Sequence, residues 1–265
     1  EYEVIEPPTK EFVPLPEANS KSLSLNKQQQ RAFDAVTGVA KKFTCFLLDG
    51  VTGSGKTEVY MHTMQQKLCK GQQCLVLVPE IGLTPQTLAV FRKRFECPVV
   101  SIHSGLTDTE RLTAWNEAKD GTVGILIGTR SSVFTPFANL GIIVVDEEHD
   151  SSFKQQEGFK YSARDIAIMR AREEKIPIIL GSATPSLESL QNTIAKKFVH
   201  LCLDHRAGKA VASSKTIVDT ANQNLDNGFS EQLLYKIEQH LASKKQVLVF
   251  INRRGFAPTL PLSLI

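Results

Sequence analysis

The chain has 265 residues, of which 42% are hydrophobic and 22% charged, and its formal net charge is +3 at pH 7. This composition excludes a disordered chain and allows one substantial core and the start of another, so we expect between one and two domains. The small positive charge permits a nucleic-acid partner but is too weak to predict one.

The predicted elements begin after a proline-rich segment. Residues 1–24 contain four prolines and no sustained periodicity, and the first residue is Glu1 instead of Met. Residues 1–22 are therefore interpreted as a linker cut from a longer protein, whose natural N-terminus is expected to be missing.

Short, continuously apolar runs then alternate with stretches that are typical of helices. This alternation predicts a doubly wound α/β fold, a mainly parallel sheet with helices on both faces. Only fourteen residues follow the last predicted strand, so the chain is expected to stop inside a second unit. The predicted strands are 43–48, 74–78, 99–102, 124–127, 142–145, 178–180 and 246–251, and the predicted helices are 27–42, 56–70, 85–95, 108–119, 163–174, 187–196 and 231–243.

Neither a membrane anchor nor a zinc site is predicted. The longest apolar runs, such as 140–145, are far shorter than the roughly 20 residues of a membrane-spanning helix. The cysteines form no CxxC pair and have no spacing typical of zinc ligands, and their odd number in a chain without an N-terminal signal indicates reduced cytoplasmic thiols. We interpret all five as packing residues, namely Cys45, Cys69, Cys74, Cys97 and Cys202.

The strongest motif joins the first predicted strand to the second predicted helix. Residues 50–57 read GVTGSGKT and fit the P-loop pattern GxxxxGK[ST], although a glycine-rich turn with an exposed lysine is the alternative. In a P-loop, backbone amides at the start of a helix face phosphate oxygens, Lys56 contacts the β- and γ-phosphates and Thr57 binds magnesium. The nucleotide-binding residues predicted from this motif are Gly50, Thr52, Gly53, Ser54, Gly55, Lys56 and Thr57.

A pair of carboxylates ends another predicted strand, as a P-loop enzyme requires. Asp146 is predicted to hold magnesium through its water shell, and Glu147 to act as the general base that polarises the attacking water. A solvated acidic strand end is the alternative. Together with Lys56, these two residues are the predicted catalytic set.

The order of the motifs resembles the DEEH-box helicases of superfamily 2, and among them the PriA-like family of replication-restart helicases. Residues 146–149 match the DEEH box, and Leu25-Asn26 with Gln29 match the adenine-reading Q motif. The other matches are motif Ia at 78–86 (VPEIGLTPQ), DNA-side motifs at 103–104 and 128–131 (GTRS), motif III at 181–186 (GSATPS) and motif IV at 249–255 (VFINRRG).

The loop after the DEEH box resembles the aromatic-rich loop by which this family couples DNA contact to hydrolysis. Its aromatic rings alternate with Lys154, Lys160 and Arg164, a pattern that suits single-stranded DNA, although the rings could equally be core residues and the polar side chains turn or capping residues. The DNA-binding or coupling residues implied by the resemblance are Thr129, Arg130, His149, Phe153, Lys154, Phe159, Lys160, Tyr161, Ser182 and Thr184.

The resemblance implies a RecA-like helicase lobe over residues 23–203 and a partial second lobe over 204–265 that ends just after motif IV. It implies an ATP- and Mg²⁺-dependent 3′ to 5′ DNA helicase of replication restart in the bacterial cytoplasm, associated with the nucleoid. Forked and single-stranded DNA, single-strand-binding protein and primosome proteins are the implied partners. The alternatives are another superfamily 2 translocase for fork reversal or repair coupling, and a nucleotide-gated fork-binding scaffold.

The chain departs from the family by what it lacks. Full-length members carry an N-terminal DNA-binding region, a winged helix, a cysteine-rich zinc insertion after motif IV and the second-lobe motifs with the arginine that completes the nucleotide site. Zinc is thus expected in a full-length member, whereas nucleotide magnesium is the one metal predicted here. The 265 residues alone are expected to be nearly inactive.

Overall fold

The computed structural model describes residues 23–39, 42–206 and 215–250. The chain divides into two compact units, Glu1–Ala210 and Val211–Ile265. The predicted linker 1–22 and most of motif IV lie outside the described residues, and the predicted domain boundary at 203 stays a prediction. Within the described residues, no helix is long and apolar enough to cross a membrane.

The first unit is built on a seven-stranded sheet whose recorded strand pairs are all parallel. The strand order is β3-β4-β2-β5-β8-β1-β9, which places the strand before the P-loop beside the strand of motif III and next but one to the DEEH strand. The strands are β1 Thr44–Gly50, β2 Gln73–Leu77, β3 Val99–Ile102, β4 Ile125–Gly128, β5 Leu140–Asp146, β8 Pro177–Ser182 and β9 Val199–Leu203. A separate antiparallel hairpin consists of β6 Lys154–Gln155 and β7 Tyr161–Ser162.

The helices begin at residues that satisfy their free backbone amides. Asn26 and Thr107 form capping boxes with the third residue of their helices, and Ser162 and Ser186 cap two others through their hydroxyls. The helices of the first unit are α1 Lys27–Thr37, α2 Lys56–Cys69, α3 Pro85–Arg94, α4 Asp108–Lys119, α5 Ala163–Glu173 and α6 Leu187–Ile194; α7 Glu231–Ala242 lies in the second unit.

Alternate strand residues point into two hydrophobic cores, one on each face of the sheet. Phe46, Val76 and Val144 pack with apolar residues of α1, α2 and α3. Leu47 and Val145, one residue further along their strands, pack with α4 and α5 on the opposite face. The prediction of a doubly wound α/β lobe with helices on both faces is therefore confirmed.

Two predictions of strands need correction. The sequence analysis missed β9, an edge strand in which Leu201 and Leu203 pack on the core while His200 and Cys202 are exposed. The predicted strand 246–251 is wrong over 246–250, where no strand forms and Leu248 is 96% exposed. A buried strand requires a neighbour, and the described part of the second unit contains α7 and one isolated bridge but no strand of a sheet.

Candidate functional site

The P-loop lies between β1 and α2 with the backbone shape that its glycines allow. Gly53 and Gly55 have φ angles of 78° and 84°, in the left-handed region where a side chain is strained. The buried Lys56 Nζ donates to the Gly50 carbonyl oxygen at 2.8 Å. The ammonium is thus held inside the loop, at the N-terminus of α2, where a helix terminus and backbone amides favour phosphate.

Gln29, the predicted adenine-reading residue, contacts the P-loop directly. Its Nε2 donates to the Ser54 carbonyl oxygen at 2.9 Å, and its Oε1 accepts a hydrogen bond from the Asn26 backbone amide at 2.9 Å. Both polar atoms of the side chain therefore have protein partners, and the side chain links the start of α1 to the loop. Adenine recognition by Gln29 stays a prediction.

The two predicted catalytic carboxylates stand at the carboxyl end of β5. Asp146 accepts a hydrogen bond from the Tyr60 hydroxyl at 3.1 Å, and its pKa is raised, first by burial and then by the nearby negative charge of Glu147. Tyr60 reaches Asp146 across Gly181, where a side chain would collide with the tyrosine hydroxyl. Gly181 of motif III is therefore needed for this contact.

Glu147 lies in a strained position on the edge of an open cleft. Its φ angle of 48° places a non-glycine residue in the left-handed region, which costs about 1–2 kcal/mol. The cleft has a volume of about 600 Å³, and Thr57, Asp146, Glu147 and His149 line it together with mostly apolar residues of β2, motif Ia and α3. A hydroxyl and carboxylates are the oxygen donors that Mg²⁺ prefers, so Thr57 and Asp146 fit the predicted metal role.

His149 connects the DEEH box to motif III. Its Nδ1 lies 2.7 Å from Ser182 Oγ, and its Nε2 lies 3.3 Å from Thr184 Oγ1. The same Nδ1 is 3.6 Å from Glu147 Oε2. The structure thus places Glu147, the predicted general base, close to His149, Ser182 and Thr184, which the resemblance assigns to DNA binding or coupling.

The sequence analysis missed the role of Glu148, the third residue of the DEEH box. This carboxylate is buried and accepts hydrogen bonds from the Ser186 amide at 2.7 Å, from Ser186 Oγ at 3.0 Å and from Ser189 Oγ at 2.9 Å. It also pairs with Arg164 NH1 at 3.0 Å. Arg164, which we predicted to meet DNA phosphate, is therefore a buried partner of Glu148 that also contacts Asp165. A buried carboxylate of this kind requires such partners.

The aromatic loop separates into one core residue and an exposed cluster. Phe153 is 2% exposed and packs in the core, which argues against direct contact with DNA, while a coupling role stays a prediction. Tyr161 lies between the rings of Phe134 and Phe159, with centroids 5.1 Å and 6.0 Å away. Phe159 is 79% exposed and Phe134 is 46% exposed. Phe134 lies far from the loop in sequence, and no local pattern indicated that it belongs to this cluster.

The remaining residues that were predicted to face DNA differ in the exposure of their side chains. Arg130 donates from NH1 to the carbonyl oxygens of Ser152 at 3.0 Å and Lys154 at 3.3 Å, and thereby supports the base of the hairpin. Thr129 is buried. The side chains of Lys154 and Lys160 are exposed, and both residues are close in sequence to the aromatic cluster. The two lysines are thus available to a phosphate backbone, whereas Thr129 and Arg130 have structural contacts.

A P-loop at the start of a helix, two carboxylates at the end of the next strand but one and a serine of the intervening strand in contact with His149 form the arrangement of a RecA-like helicase lobe. The family model described as DEAD/DEAH box helicase matches residues 26–193. The chain belongs to the DEAD/DEAH box helicase family.

Among curated proteins, the chain is 52% identical over 238 residues to the replication restart protein PriA of Haemophilus influenzae, covering 90% of this chain and 32% of the relative. It is 41% identical over 244 residues to the protein of the same name from Bacillus subtilis, covering 90% of this chain and 30% of that relative. The chain thus spans about a third of the length of these relatives.

Solved structures share the fold. The structure of RecG bound to a three-way DNA junction matches with a TM-score of 0.52 and 23% identity, over 69% of this chain and 24% of that one. The DUF1998 helicase MrfA bound to DNA matches with a TM-score of 0.51 and 16% identity, over 74% of this chain and 31% of that one.

Proposed function

We propose that this chain is the ATP-binding motor lobe of a 3′ to 5′ DNA helicase that restarts replication at stalled or repaired forks. The observation that carries the proposal is the joint placement of the P-loop, Asp146, Glu147 and the His149–Ser182 contact at the carboxyl edge of one sheet. The names of the relatives support the replication-restart role.

Each side chain at the site has a part in the chemistry. Lys56 would bind the β- and γ-phosphates of a bound nucleotide, and Thr57 and Asp146 would hold the magnesium ion that neutralises phosphate charge. Glu147 faces the cleft and orients the water that attacks. The Glu147–His149 proximity then connects the position of that water to motif III through Ser182 and Thr184.

Lys56→Ala is expected to weaken binding of ATP or ADP to the 265-residue chain by about tenfold or more. The reason is the loss of a charge-assisted contact to phosphate, which is worth roughly 1.5–3 kcal/mol. Isothermal titration calorimetry measures the change, and Lys70→Ala, one residue beyond the same helix, is the control with the same loss of charge. Equal affinities for Lys56→Ala and the parent chain would contradict the P-loop assignment.

The proposed DNA contact is the exposed aromatic cluster of Phe134, Phe159 and Tyr161 with Lys154 and Lys160. Base stacking on aromatic side chains tolerates any sequence, and lysines add attraction to phosphate. Arg130 ties the hairpin of this cluster to the 3₁₀ turn that contains Phe134. We therefore expect contact with a DNA strand to be transmitted from the hairpin to the DEEH box, because the hairpin begins a few residues after the box.

Removal of the rings by Phe159→Ala and Tyr161→Ala is expected to leave DNA-independent ATP hydrolysis by the full-length protein nearly unchanged and to reduce its stimulation by single-stranded DNA. Each stacked base is worth about 1–3 kcal/mol, so the DNA concentration for half-stimulation should rise about tenfold or more. Steady-state hydrolysis against DNA concentration is the measurement. Met169→Ala, an exposed apolar side chain on α5, is the control, and unchanged stimulation in the ring variants would return the loop to a structural role.

Further parts of the proposal concern the whole protein. Its substrates are forked and single-stranded DNA. Its partners are single-strand-binding protein and primosome proteins, and it is located in the bacterial cytoplasm, associated with the nucleoid. The fork-binding scaffold is disfavoured by the intact Lys56, Thr57, Asp146 and Glu147. A fork-reversal or repair-coupling motor shares the fold, and ATPase assays on different branched DNAs with the full-length protein distinguish it.

A further inference from the structure

Three side chains with metal-binding atoms meet at the β9 edge of the sheet, and none of them lines the cleft beside Glu147. His200 and Cys202 are two residues apart on β9, and therefore project to the same side of the strand. Asp49 lies opposite Cys202 in the parallel pairing of β9 with β1. The backbone of two paired strands thus fixes the positions of all three.

The distances suit a tetrahedral ion. Asp49 Oδ2 lies 3.2 Å from His200 Nε2, which lies 3.5 Å from Cys202 Sγ, and the three ligand atoms are within 4.8 Å of one another. With zinc–nitrogen and zinc–oxygen bonds of about 2.0–2.1 Å and a zinc–sulfur bond of about 2.3 Å, neighbouring ligands are about 3.3–3.6 Å apart. Two of the three edges of the triangle therefore already have the required length.

The chemistry of the donors selects the metal. A thiolate, an imidazole and a carboxylate form a mixed set that suits zinc, whereas Mg²⁺ and Ca²⁺ prefer oxygen alone. The side chains are partly exposed, which leaves room for water as a fourth ligand. The carboxylates of Asp49 and Asp204 are close enough to raise the pKa of Cys202, after a larger effect of burial, and the same negative charge attracts a cation.

We propose that Asp49, His200 and Cys202 bind a zinc ion that joins the edge strand β9 to β1 directly before the P-loop. Asp49 precedes Gly50, and the Val51 amide donates to the Leu203 carbonyl oxygen at 3.2 Å, so β9 already contacts the first residues of the loop. An ion at this position stabilises the base of the P-loop. Its ligands are separate from Thr57 and Asp146.

Titration of the metal-free 265-residue chain with Co²⁺, a spectroscopic substitute for Zn²⁺, tests the site. A thiolate-to-cobalt charge-transfer band and visible bands of tetrahedral cobalt are expected at one equivalent, and Zn²⁺ should remove them. Cobalt bound at the oxygen ligands of the nucleotide cleft gives no thiolate band. Because the thiol must lose its proton when it binds the ion, binding should strengthen as the pH rises.

Cys202→Ser should abolish the thiolate band, and His200→Ala and Asp49→Asn should each weaken cobalt binding at least about 10- to 100-fold, the range lost when even outer partners of a metal ligand are removed. Cys69→Ser is the matched control and should leave the titration unchanged. Zn²⁺ should raise the Tm of the parent chain and of Lys56→Ala but not that of Cys202→Ser. No thiolate band in the parent chain, or a band that survives Cys202→Ser, overturns the proposal.

Discussion

The purified 265-residue chain is expected to hydrolyse ATP close to background, even with DNA present, and not to unwind DNA at all. Superfamily 2 motors hydrolyse ATP in a cleft between two lobes, where the second lobe supplies an arginine to the charge that develops on the γ-phosphate. Such an arginine is worth about 10³–10⁵ in rate in other P-loop enzymes. Translocation further requires two lobes that open and close on the strand.

The measurement is DNA-stimulated phosphate release by the chain, compared with a longer protein that carries both lobes. Lys56→Ala in each protein excludes a contaminating ATPase. Strong stimulated hydrolysis by the 265 residues that Lys56→Ala removes would show a more complete site. In that case Arg206, Arg253 or Arg254 would be the first candidates for the cation, of which the last two lie outside the described residues.

In the full-length protein, Glu147→Gln is expected to preserve ATP binding and to reduce turnover by about 10²–10⁴-fold, the usual range for a lost general base. The substitution keeps the shape of the side chain but removes the charge that orients water. Single-turnover hydrolysis and nucleotide titration separate the two effects.

Glu157→Gln, on the exposed tip of the aromatic hairpin, is the control for loss of one acidic charge. It should hydrolyse ATP at the parent rate. If Glu147→Gln also did so, the general base would have to be sought elsewhere in the cleft. A loss of nucleotide binding in Glu147→Gln would instead assign this carboxylate to the binding step.

The fold was predictable where the sequence pattern reports burial on both faces. The five central strands have continuous apolar runs because helices cover both sides of the sheet. The edge strand β9 was missed because only Leu201 and Leu203 pack on the core and polar residues alternate with them. The run 246–250 has the same apolar character as a central strand, but composition alone does not supply a neighbouring strand.

The candidate site was predictable where its residues are close in sequence. The P-loop and the DEEH box are continuous segments whose spacing carries the chemistry. Contacts between distant segments were not predictable, because a charged residue such as Arg164 has the pattern of a surface position until its buried partner is known. The same limit applies to Phe134 beside Tyr161, and to Cys202, which we had assigned to packing.

Glu148 has a mechanical consequence for the motor. Its carboxylate joins the loop after β5 to Arg164 near the start of α5 and to Ser186 and Ser189 at the start of α6. Breaking a buried ion pair by removing one of its two partners costs about 3–5 kcal/mol. This is a large part of the free energy that ATP binding provides. Motif III is therefore expected to move together with α5 and α6 as one rigid body during the ATPase cycle. Displacement relative to this body is expected at Glu147 and His149 of the DEEH box.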